Sequence, residues 1–338
     1  MNILAIETSC DETAAAVLTA ERKILASIVL SQDEIHAPYG GVVPELASRQ
    51  HLSSIGYIVG ECLRRSAVPL DHIDAYAVTQ GPGLIGSLLV GLSFAKGLAF
   101  CYKKPLFGID HLEAHIEAAF LENPGLPFPA LALVVSGGHT SLFYIKKRLH
   151  SKLLGRTRDD AAGEALDKIA KFLGLGYPGG PVIEKAAAAG DPEKFAFSLP
   201  RMKDSSLDFS FSGLKTAALR WIEETQMSRG HARLGDFLAS FEEAVARAVL
   251  ANVAQAAVKF KPASLILCGG VARNKRLRRK FEELALANQL RAFIPAPQFC
   301  TDNAAMVGAL AVEKLKARKK PGSPLDLDAY PRFIPSQG

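Results

Sequence analysis

The stretch Asn2-Ile-Leu-Ala-Ile-Glu-Thr-Ser-Cys-Asp-Glu-Thr-Ala-Ala-Ala-Val-Leu18 decides the fold. Its two apolar runs, at 2–8 and 13–18, flank a short polar turn, which predicts a β-hairpin. A third apolar run at 23–30 extends the hairpin to three strands. Helices and strands then alternate, with a helix at 44–66, a strand at 75–80, a helix at 87–99, a strand at 106–109 and a helix that opens at Asp110.

The same order of elements returns in the second half of the chain. Asn123-Pro-Gly-Leu-Pro-Phe-Pro129 interrupts regular structure, because proline fixes its backbone angle and donates no amide hydrogen. The elements that follow are strands at 131–135, 141–146 and 151–156, a helix at 163–173, an irregular insertion at about 174–233, a helix at 236–260, a strand at 264–268, a helix at 275–287, a strand at 291–295 and a final helix from Asn303.

Two copies of the order βββαβαβα predict an α/β protein with two similar lobes around a central cleft, a common place for a ligand. We expect the lobes at residues 1–122 and 130–338, with the final helix able to pack back on the first lobe. Two unrelated α/β domains are the alternative.

Length and composition exclude several classes of protein. A chain of 338 residues is too long for one ordinary core, and 49% hydrophobic with 22% charged residues excludes a disordered chain or a coiled coil. The apolar stretch at 87–100 is shorter than the roughly 18 residues of a membrane span, and Glu7 comes too early for a signal peptide. We therefore expect a cytoplasmic protein that does not span a membrane.

The cysteines and the net charge give only weak information about function. Five scattered cysteines without a C-x-x-C pair favour reduced thiols over disulfides or a zinc knuckle. A net charge of +6 is only a weak indication of a polyanionic partner.

Three glycine turns in the second lobe favour a nucleotide. They are Ser136-Gly-Gly-His-Thr140, Gly176-Tyr-Pro-Gly-Gly-Pro181 and Leu267-Cys-Gly-Gly-Val-Ala-Arg-Asn274. Glycines allow positive backbone angles and let backbone amides approach an anion, and two of these turns run into a predicted helix start, one of them at residue 182. Each turn alone could be purely structural.

A further glycine motif, Gly81-Pro-Gly-Leu-Ile-Gly86, matches the dinucleotide fingerprint, with Asp110 near the place of a ribose-binding acid. The motif follows the fourth strand rather than the first, and Pro82 removes an amide. Close helix packing explains these glycines better than a dinucleotide does.

The segment His111-Leu-Glu-Ala-His115 predicts a metal site. Side chains four residues apart share one face of a helix, so both imidazoles can reach one ion. Glu113 lies two residues from each histidine and points elsewhere, which excludes the zinc-protease pattern. Thr301-Asp-Asn303 offers a third ligand, Asp302, which we expect in the opposite lobe. Its alternative role is a helix N-cap.

Two other groups of charged residues stand out. Asp11 and Glu12, in the first hairpin turn, are candidate general bases, although acids in turns are usually only solvated. Six of the eight residues at 273–280 are basic, which indicates either phosphate contact with a nucleic acid or a solvated helix face. Other basic residues are Arg201, Lys203, Lys215 and several at 314–320.

These motifs resemble the universal tRNA threonylcarbamoyladenosine transferase family, once labelled O-sialoglycoprotein endopeptidases. The resemblance runs through nearly the whole chain, in the same order of motifs. It includes Ile6-Glu-Thr-Ser-Cys-Asp-Glu-Thr13, Val42-Val-Pro-Glu-Leu-Ala-Ser-Arg49, His111 to His115, Ser136 to Thr140, Gly163-Glu-Ala-Leu-Asp-Lys168, Tyr177 to Pro181, Phe209-Ser-Phe-Ser-Gly-Leu-Lys-Thr216 and Cys300-Thr-Asp-Asn-Ala-Ala-Met306.

The resemblance implies two duplicated RNase H-like lobes of the actin-like, sugar-kinase-like type. It also implies transfer of the threonylcarbamoyl group from threonylcarbamoyl-adenylate to N6 of adenosine 37 in tRNAs that read codons beginning with A, with release of AMP. His111, His115 and Asp302 would hold one Fe²⁺ or Zn²⁺ ion. The adenylate, or ATP or AMP in the same place, would bind at Val134, Val135, Ser136, Gly137, Gly138, Asp167, Gly180, Glu184 and Asn274.

The implied partners are tRNA, an inactive paralogous subunit, a small ATPase subunit and a separate enzyme that makes the adenylate. Two alternatives stay open. A metal-dependent peptidase would use the histidine pair but has no need of three nucleotide-like turns. A non-catalytic ATPase or scaffold of the same fold is expected to lack part of the set His111, His115 and Asp302, which this chain has complete.

Overall fold

Two five-stranded mixed sheets carry the fold, one in each of two units. The structure is a computed structural model that describes residues 1–199, 202, 204–318, 321 and 323–333. Unit 1 comprises Met1–Pro124 together with Thr301–Gly338, and unit 2 comprises Gly125–Cys300. The predicted connector therefore contains the boundary between them.

Unit 1 opens with the predicted three strands. Its sheet has the order β3-β2-β1-β4-β5, antiparallel from β3 to β1 and parallel from β1 to β5. Its elements up to residue 124 are β1 (Asn2–Glu7), β2 (Glu12–Thr19), β3 (Ile24–Ser31), α1 (Asp33–His36), α2 (Pro44–Ser66), β4 (Ala75–Gly81), α3 (Ile85–Tyr102), β5 (Leu106–Asp110) and α4 (His111–Glu122). The core packs Leu4 and Ile6 of β1 against α2 and α3.

Unit 2 repeats this topology. Its sheet, read from the other edge, has the order β8-β7-β6-β9-β10, again antiparallel over the first three strands and parallel over the last three. Its elements are β6 (Ala130–Val135), β7 (Thr140–Lys147), β8 (His150–Arg156), α5 (Ala162–Phe172), α6 (Gly179–Ala187), α7 (Ser212–Glu224), α8 (Leu234–Phe260), β9 (Ser264–Cys268), α9 (Lys275–Ala287), β10 (Arg291–Phe293) and α10 (Pro297–Cys300). The duplicated order predicted from periodicity is thus present.

The last helix, α11 (Ala304–Lys316), belongs to unit 1, so the range 130–338 predicted for the second lobe ends too late. The helix packs on α4 and β1, where a Cβ on Gly308 would lie 3.2 Å from Cβ of Ala5. Every residue of α11 from Ala304 to Val312 is buried, so other elements must pack around the whole helix. The strands of the sheet in unit 1 and α4 do so.

A nearly buried ion network reinforces this packing. Arg22, in the turn between β2 and β3, lies 3.5 Å from Oε1 of Glu117 on α4 and 3.6 Å from Oε1 of Glu313 on α11. The side chains are only 14% (Arg22), 6% (Glu117) and 11% (Glu313) exposed. One guanidinium therefore joins α4, which carries His111 and His115, to α11, which begins two residues after Asp302.

The predicted irregular insertion contains two helices. α6 begins at Gly179, before the predicted start at 182, because Pro181 at its third position needs no intrahelical partner for its missing amide hydrogen. α7 buries Leu214, Ala218 and Ile222, an apolar set at helical spacing that the sequence analysis did not use.

In the part of the chain that the structure describes, one helix, α3, is long and apolar enough, by length and composition alone, to cross a membrane. It runs for 18 residues, longer than the stretch considered in the sequence analysis, with Lys96 inside it. Its residues Leu92, Ala95 and Ala99 pack in the core of unit 1, and 33% of the helix is buried.

Candidate functional site

The two histidines lie at the start of α4, directly after the carboxyl end of β5. Asp110 caps the helix, since its Oδ1 accepts a hydrogen bond of 2.9 Å from the backbone N–H of Glu113. His111 is thereby the first helical residue, and His115 lies one turn later on the same face. Both rings are buried, and their centroids are 4.6 Å apart. The predicted shared face is confirmed.

Asp302 reaches this pair from within unit 1, not from an opposite lobe. Its Oδ1 lies 3.5 Å from Nε2 of His111 and 3.1 Å from Nε2 of His115. The alternative role of Asp302 as a helix cap is wrong, because Asn303 caps α11 by accepting a 3.0 Å hydrogen bond from the N–H of Met306. The structure thus brings together all three predicted ligands.

The geometry of these atoms fits one metal ion. Tetrahedral ligands about 2.1 Å from an ion lie about 3.4 Å from one another, close to the two distances above. One ligand atom from each of His111, His115 and Asp302 lies within 4.8 Å of the others. Among the described residues, neither ring nitrogen of the buried His115 has a hydrogen-bond partner, despite its closeness to Asp302. A buried imidazole without such a partner suits a metal ligand.

Charges around the site favour a cation. Although burial disfavours its charged form, the carboxylates of Asp302 and Glu7 raise the pKa of His111 to about 9. Burial and the neighbouring His111 lower the pKa of His115. Burial, together with the carboxylates of Asp302 and Asp11, raises the pKa of Glu12 well above its usual value. Several carboxylates thus surround the ligand atoms.

Glu7 is a functional candidate that the sequence analysis missed. Its side chain, at the end of β1, is fully buried, and its Oε2 lies 3.2 Å from Nδ1 of His111. Ser9 approaches the same nitrogen, with its Oγ at 3.2 Å. The available signal was an acid that ends an otherwise apolar run of a predicted core strand.

A buried histidine forms hydrogen bonds with residues on both sides of Asp11 and Glu12. His51 of α2 donates from Nε2 to the carbonyl of Cys10 at 2.9 Å, so its Nδ1 accepts from the hydroxyl of Thr13 at 2.8 Å. Asp11 is 9% exposed and Glu12 is half-buried, so neither is the simply solvated turn residue of the alternative interpretation. His51 lies on the helix predicted at 44–66, and the sequence analysis did not single it out.

In unit 2, residues 136–139 form the predicted hairpin turn. The N–H of Ser136 donates to the carbonyl of His139 at 2.8 Å. Neither Gly137 nor Gly138 has a positive φ, so the predicted use of positive angles is wrong at this turn. A Cβ on either glycine would meet no atom within 4 Å, and both residues are exposed. The fold does not require glycine here, but the close approach of a ligand would.

The other predicted adenylate residues lie on neighbouring elements of unit 2. Oδ1 of Asp167 accepts from the N–H of Gly179 at 2.7 Å, and Oε1 of Glu184 accepts from the N–H of Lys275 at 3.0 Å. Asn274 caps α9 through its Oδ1 and donates from Nδ2 to the buried Glu242. A Cβ on Gly180 would meet no atom within 4 Å.

The remaining two predicted residues, Val134 and Val135, differ from these. Their side chains are fully buried in β6, so any ligand contact there rests on the backbone. The predicted set therefore divides into residues of two glycine turns, polar side chains that accept hydrogen bonds at helix starts, and buried strand residues.

A groove of about 620 Å³ opens between α6 and α9. Its lining mixes acids and bases, and it includes Glu184, Lys185, Glu242, Lys275, Arg276 and Arg279. The ends of two helices and one predicted adenylate residue thus meet at one concave surface of unit 2.

The basic run at 273–280 is mostly paired within the chain. Arg276 lies 2.9 Å from Glu242 and 3.4 Å from Glu243, and Lys280 lies 2.6 Å from Glu243. The guanidinium of Arg278 donates to backbone carbonyls, including that of Pro295 at 3.2 Å, and Arg279 pairs with Glu283 at 3.7 Å. Four of the six basic residues therefore have partners in the protein, which weakens the nucleic-acid interpretation of this run.

Most of the other basic residues considered for nucleic-acid contact are either paired within the chain or lie outside the described residues. Lys215 pairs with Asp160, and Lys314 donates to the carbonyl of Gly108 at 2.9 Å. Arg201, Lys203 and residues 319–320 lie outside the described residues.

The glycines at 81–86 serve packing, as predicted. A Cβ on Gly83 would lie 2.5 Å from the carbonyl oxygen of Ser9, and one on Gly86 would lie 2.6 Å from Oγ of Ser48. The motif follows β4, the fourth strand of unit 1, so a dinucleotide fingerprint is excluded by topology.

Comparisons with known proteins agree with this geometry. Residues 23–309 match the sequence model of the family described as tRNA N6-adenosine threonylcarbamoyltransferase. A protein of that name from Moorella thermoacetica is 47% identical over 330 residues, which is 98% of this chain and 96% of the relative.

Solved structures show the fold. Component A of (R)-2-hydroxyglutaryl-CoA dehydratase from Acidaminococcus fermentans aligns over 94% of this chain and 99% of its own, with a TM-score of 0.57 and 16% identity. A ROK hexokinase from Thermus thermophilus covers the same shares with a TM-score of 0.50 and 15% identity. The fold is the predicted actin-like, sugar-kinase-like one, and the chain belongs to the tRNA N6-adenosine threonylcarbamoyltransferase family.

Proposed function

We propose that this chain transfers a threonylcarbamoyl group to N6 of an adenosine in tRNA. The observation that carries the proposal is the family match over residues 23–309, supported by 47% identity to a transferase over 98% of the chain. The finer details, which are position 37, threonylcarbamoyl-adenylate as donor and tRNAs that read codons beginning with A, follow from the resemblance in the sequence.

The chemistry requires an activated donor. The exocyclic amine of adenosine is a poor nucleophile, because its lone pair is delocalised into the ring. The amine attacks the carbamoyl carbon, the bond from that carbon to the phosphate oxygen breaks, and AMP leaves with the bonding electrons. One proton of the amine goes to a base. The protein must therefore hold the adenylate, stabilise developing negative charge and accept a proton.

The turns of unit 2 suit the adenylate. Gly137, Gly138 and Gly180 have open space where a Cβ would be, so a phosphate could approach their backbone closely. The amino end of α6, which begins at Gly179, adds the positive end of the helix dipole. Asp167 orders this helix start through Gly179, and the same site would accept ATP or AMP.

The cation site of unit 1 suits one Fe²⁺ or Zn²⁺ ion held by His111, His115 and Asp302. A bound divalent ion would supply Lewis acidity, which offsets negative charge on the donor oxygens. The protein itself excludes water from the ligand atoms, since the exposed fraction is 4% for the side chain of His111, zero for His115 and 14% for Asp302.

Asp11 and Glu12 are the proposed general base, one of them accepting the proton of the attacking amine. The raised pKa of Glu12 makes its ionised carboxylate a stronger base than that of an ordinary glutamate. The hydrogen bond from His51 to the carbonyl of Cys10 holds the turn in place.

Partners and location are also proposals. The resemblance implies tRNA, an inactive paralogous subunit, a small ATPase subunit, a separate adenylate-forming enzyme and the cytoplasm. No specific observation favours the peptidase or the non-catalytic scaffold.

The function is tested by mixing the purified protein with its partner subunits, threonylcarbamoyl-adenylate and unmodified tRNA. The tRNA is then digested, and its nucleosides are analysed by mass. We expect threonylcarbamoyladenosine with the complete mixture and none when this chain is omitted. Unmodified adenosine in the complete mixture, or phosphate release without tRNA modification, would refute the proposal.

A further inference from the structure

We propose that Glu7 is a positioning residue that fixes the tautomer and orientation of His111, so that Nε2 of this ring is held ready for a metal ion. The inference rests on the proposed metal centre and deepens it. It concerns a residue outside the set of predicted ligands, and it is carried by the hydrogen bonds around one buried carboxylate.

Three donors surround that carboxylate. The backbone N–H of Ser9 donates to Oε1 of Glu7 at 2.5 Å, and the hydroxyl of Thr79 donates to Oε2 at 2.5 Å. Nδ1 of His111 lies 3.2 Å from the same Oε2. Glu7 is fully buried, and an ionised carboxylate only accepts hydrogen bonds. The hydrogen of a neutral His111 is therefore placed on Nδ1, and the lone pair is placed on Nε2.

Nε2 faces the other two ligands. It lies 3.5 Å from Oδ1 of Asp302, on the side of the ring opposite Glu7. Metal-bound histidines commonly donate their second N–H to a carboxylate, which orients the ring and makes the ligating nitrogen more basic. Here Glu7 accepts from Nδ1 of His111, and Nε2 of the same ring lies at the cation site, which is the same arrangement.

His115 lacks such support. Its Nδ1 is buried and has no hydrogen-bond partner in the part of the chain that the structure describes. The ring of His111 is thus held at Nδ1 by a hydrogen bond to a carboxylate, whereas no such bond holds Nδ1 of His115. The loss of Glu7 should act through one ring only.

Ser9 provides the matched comparison, because its Oγ lies 3.2 Å from the same Nδ1. A hydroxyl can either donate or accept, so it does not select a tautomer, and it carries no charge to make Nε2 more basic. If orientation by a charged acceptor is what matters, Glu7 should dominate over Ser9.

The experiment measures the affinity of the metal-free protein for Zn²⁺ and Co²⁺ by competition with a chelator, for the wild type, Glu7→Gln and Ser9→Ala. We expect Glu7→Gln to weaken binding about 10- to 100-fold. Ser9→Ala should weaken it less than about threefold, since it removes only a neutral neighbour. The visible absorption of the fully Co²⁺-loaded Glu7→Gln protein should also shift, which a purely structural role of Glu7 would not cause.

Affinities of Glu7→Gln and wild type within twofold, or a larger effect of Ser9→Ala, would overturn the inference. An unchanged Co²⁺ spectrum would do so too. If Glu7→Gln does not fold, Thr79→Val decides, because it removes one donor to Glu7 and leaves His111 in place. It should weaken Zn²⁺ binding several-fold, and unchanged binding refutes the role of Glu7. Absence of metal binding by the wild type would instead refute the proposed metal centre itself.

Discussion

The first hairpin turn of unit 1 and the first hairpin turn of unit 2 occupy the same place in the same topology, yet they carry opposite chemistry. In unit 1 the residues at the turn are acidic, with Glu7 before it, Asp11 in it and Glu12 at the start of the next strand. In unit 2 the turn is Ser136-Gly-Gly-His139, with two exposed glycines. Carboxylates favour a cation, and open backbone amides favour an anion.

The difference teaches that the duplicated fold fixes where functional groups stand, whereas turn residues decide which ligand they suit. The cation side of the comparison continues at α4, which carries His111 and His115, and at Asp302, just before α11. The anion side continues at α6, whose amino end is ordered by Asp167.

The largest effect is expected from removing the cation ligands. His111→Ala combined with His115→Ala should abolish stoichiometric metal binding and lower transfer about 10³-fold or more, since a Lewis acid supplies several kcal/mol. Elemental analysis of the purified variant and the nucleoside assay measure the two effects. The exposed His72→Ala is the control and should behave as wild type. Full metal occupancy in the double variant would contradict the ligand assignment.

The turn acids come next. Replacing the true base, by Asp11→Ala or Glu12→Ala, should lower the transfer rate about 10²- to 10⁴-fold while tRNA affinity stays constant. Single-turnover transfer and a tRNA-binding assay separate these outcomes. The exposed Glu34→Ala serves as the control. If both variants keep full activity, the assignment of the base to this turn is wrong.

Each unit also has an arginine that bridges two glutamates, which allows a direct comparison of stability. Arg22 joins Glu117 and Glu313 in unit 1, and Arg276 joins Glu242 and Glu243 in unit 2. Arg22→Met or Arg276→Met removes the nearly buried cation between two carboxylates, while Lys316 still pairs with Glu313 and Lys280 with Glu243. Each variant should therefore lower the free energy of unfolding by up to about 3–5 kcal/mol.

Urea unfolding measures these losses, and metal affinity distinguishes the units. Arg49→Met is the control, because its pair with Glu45 is about three-quarters exposed and should contribute less than about 1 kcal/mol. Only Arg22→Met should also weaken Zn²⁺ binding, since Arg22 joins α4, which carries the two histidines, to α11, which begins two residues after Asp302. Equal Zn²⁺ affinities of Arg22→Met and Arg276→Met would contradict the claim that Arg22 supports the metal site.

The smallest effect is expected at the glycine turn. Gly137→Ala adds a methyl group where no atom of the chain lies, so stability should stay within about 0.5 kcal/mol. Affinity for AMP should fall about tenfold, or roughly 1.4 kcal/mol, because the methyl group takes space needed by the phosphate. Calorimetric titration measures it. Gly97→Ala, equally open but on α3 of unit 1, should leave AMP binding unchanged, and an equal loss there would contradict the adenylate site.

Much of the fold follows from local sequence. Apolar runs bounded by turns predicted all ten strands, and the helix at 44–66 agrees with α2 residue for residue. The start of α6 was predicted too late, because the glycines and prolines at 176–181 indicate a loop. α7 was not predicted, although Leu214, Ala218 and Ile222 have the spacing of a helix. Packing of α11 on unit 1 depends on tertiary contacts that periodicity does not contain.

The site was predictable where spacing alone decides it. His111 and His115 follow from the period of a helix, whereas the place of Asp302 in unit 1 follows from the packing of α11. Asn303, not Asp302, caps that helix, and two adjacent polar residues cannot be distinguished by composition. Glu7 was missed because its partner, His111, is 104 residues away in the chain.

The most direct test of the central claim is an X-ray structure of the protein soaked with Zn²⁺ and AMP, with anomalous data collected at the zinc edge. We predict one anomalous peak in unit 1, about 2.0–2.2 Å from Nε2 of His111, Nε2 of His115 and the Asp302 carboxylate. We also predict AMP on the turn at 136–138 of unit 2. A zinc peak with other ligands, or AMP bound at the acidic turn of unit 1, would contradict the division of cation and anion chemistry between the units.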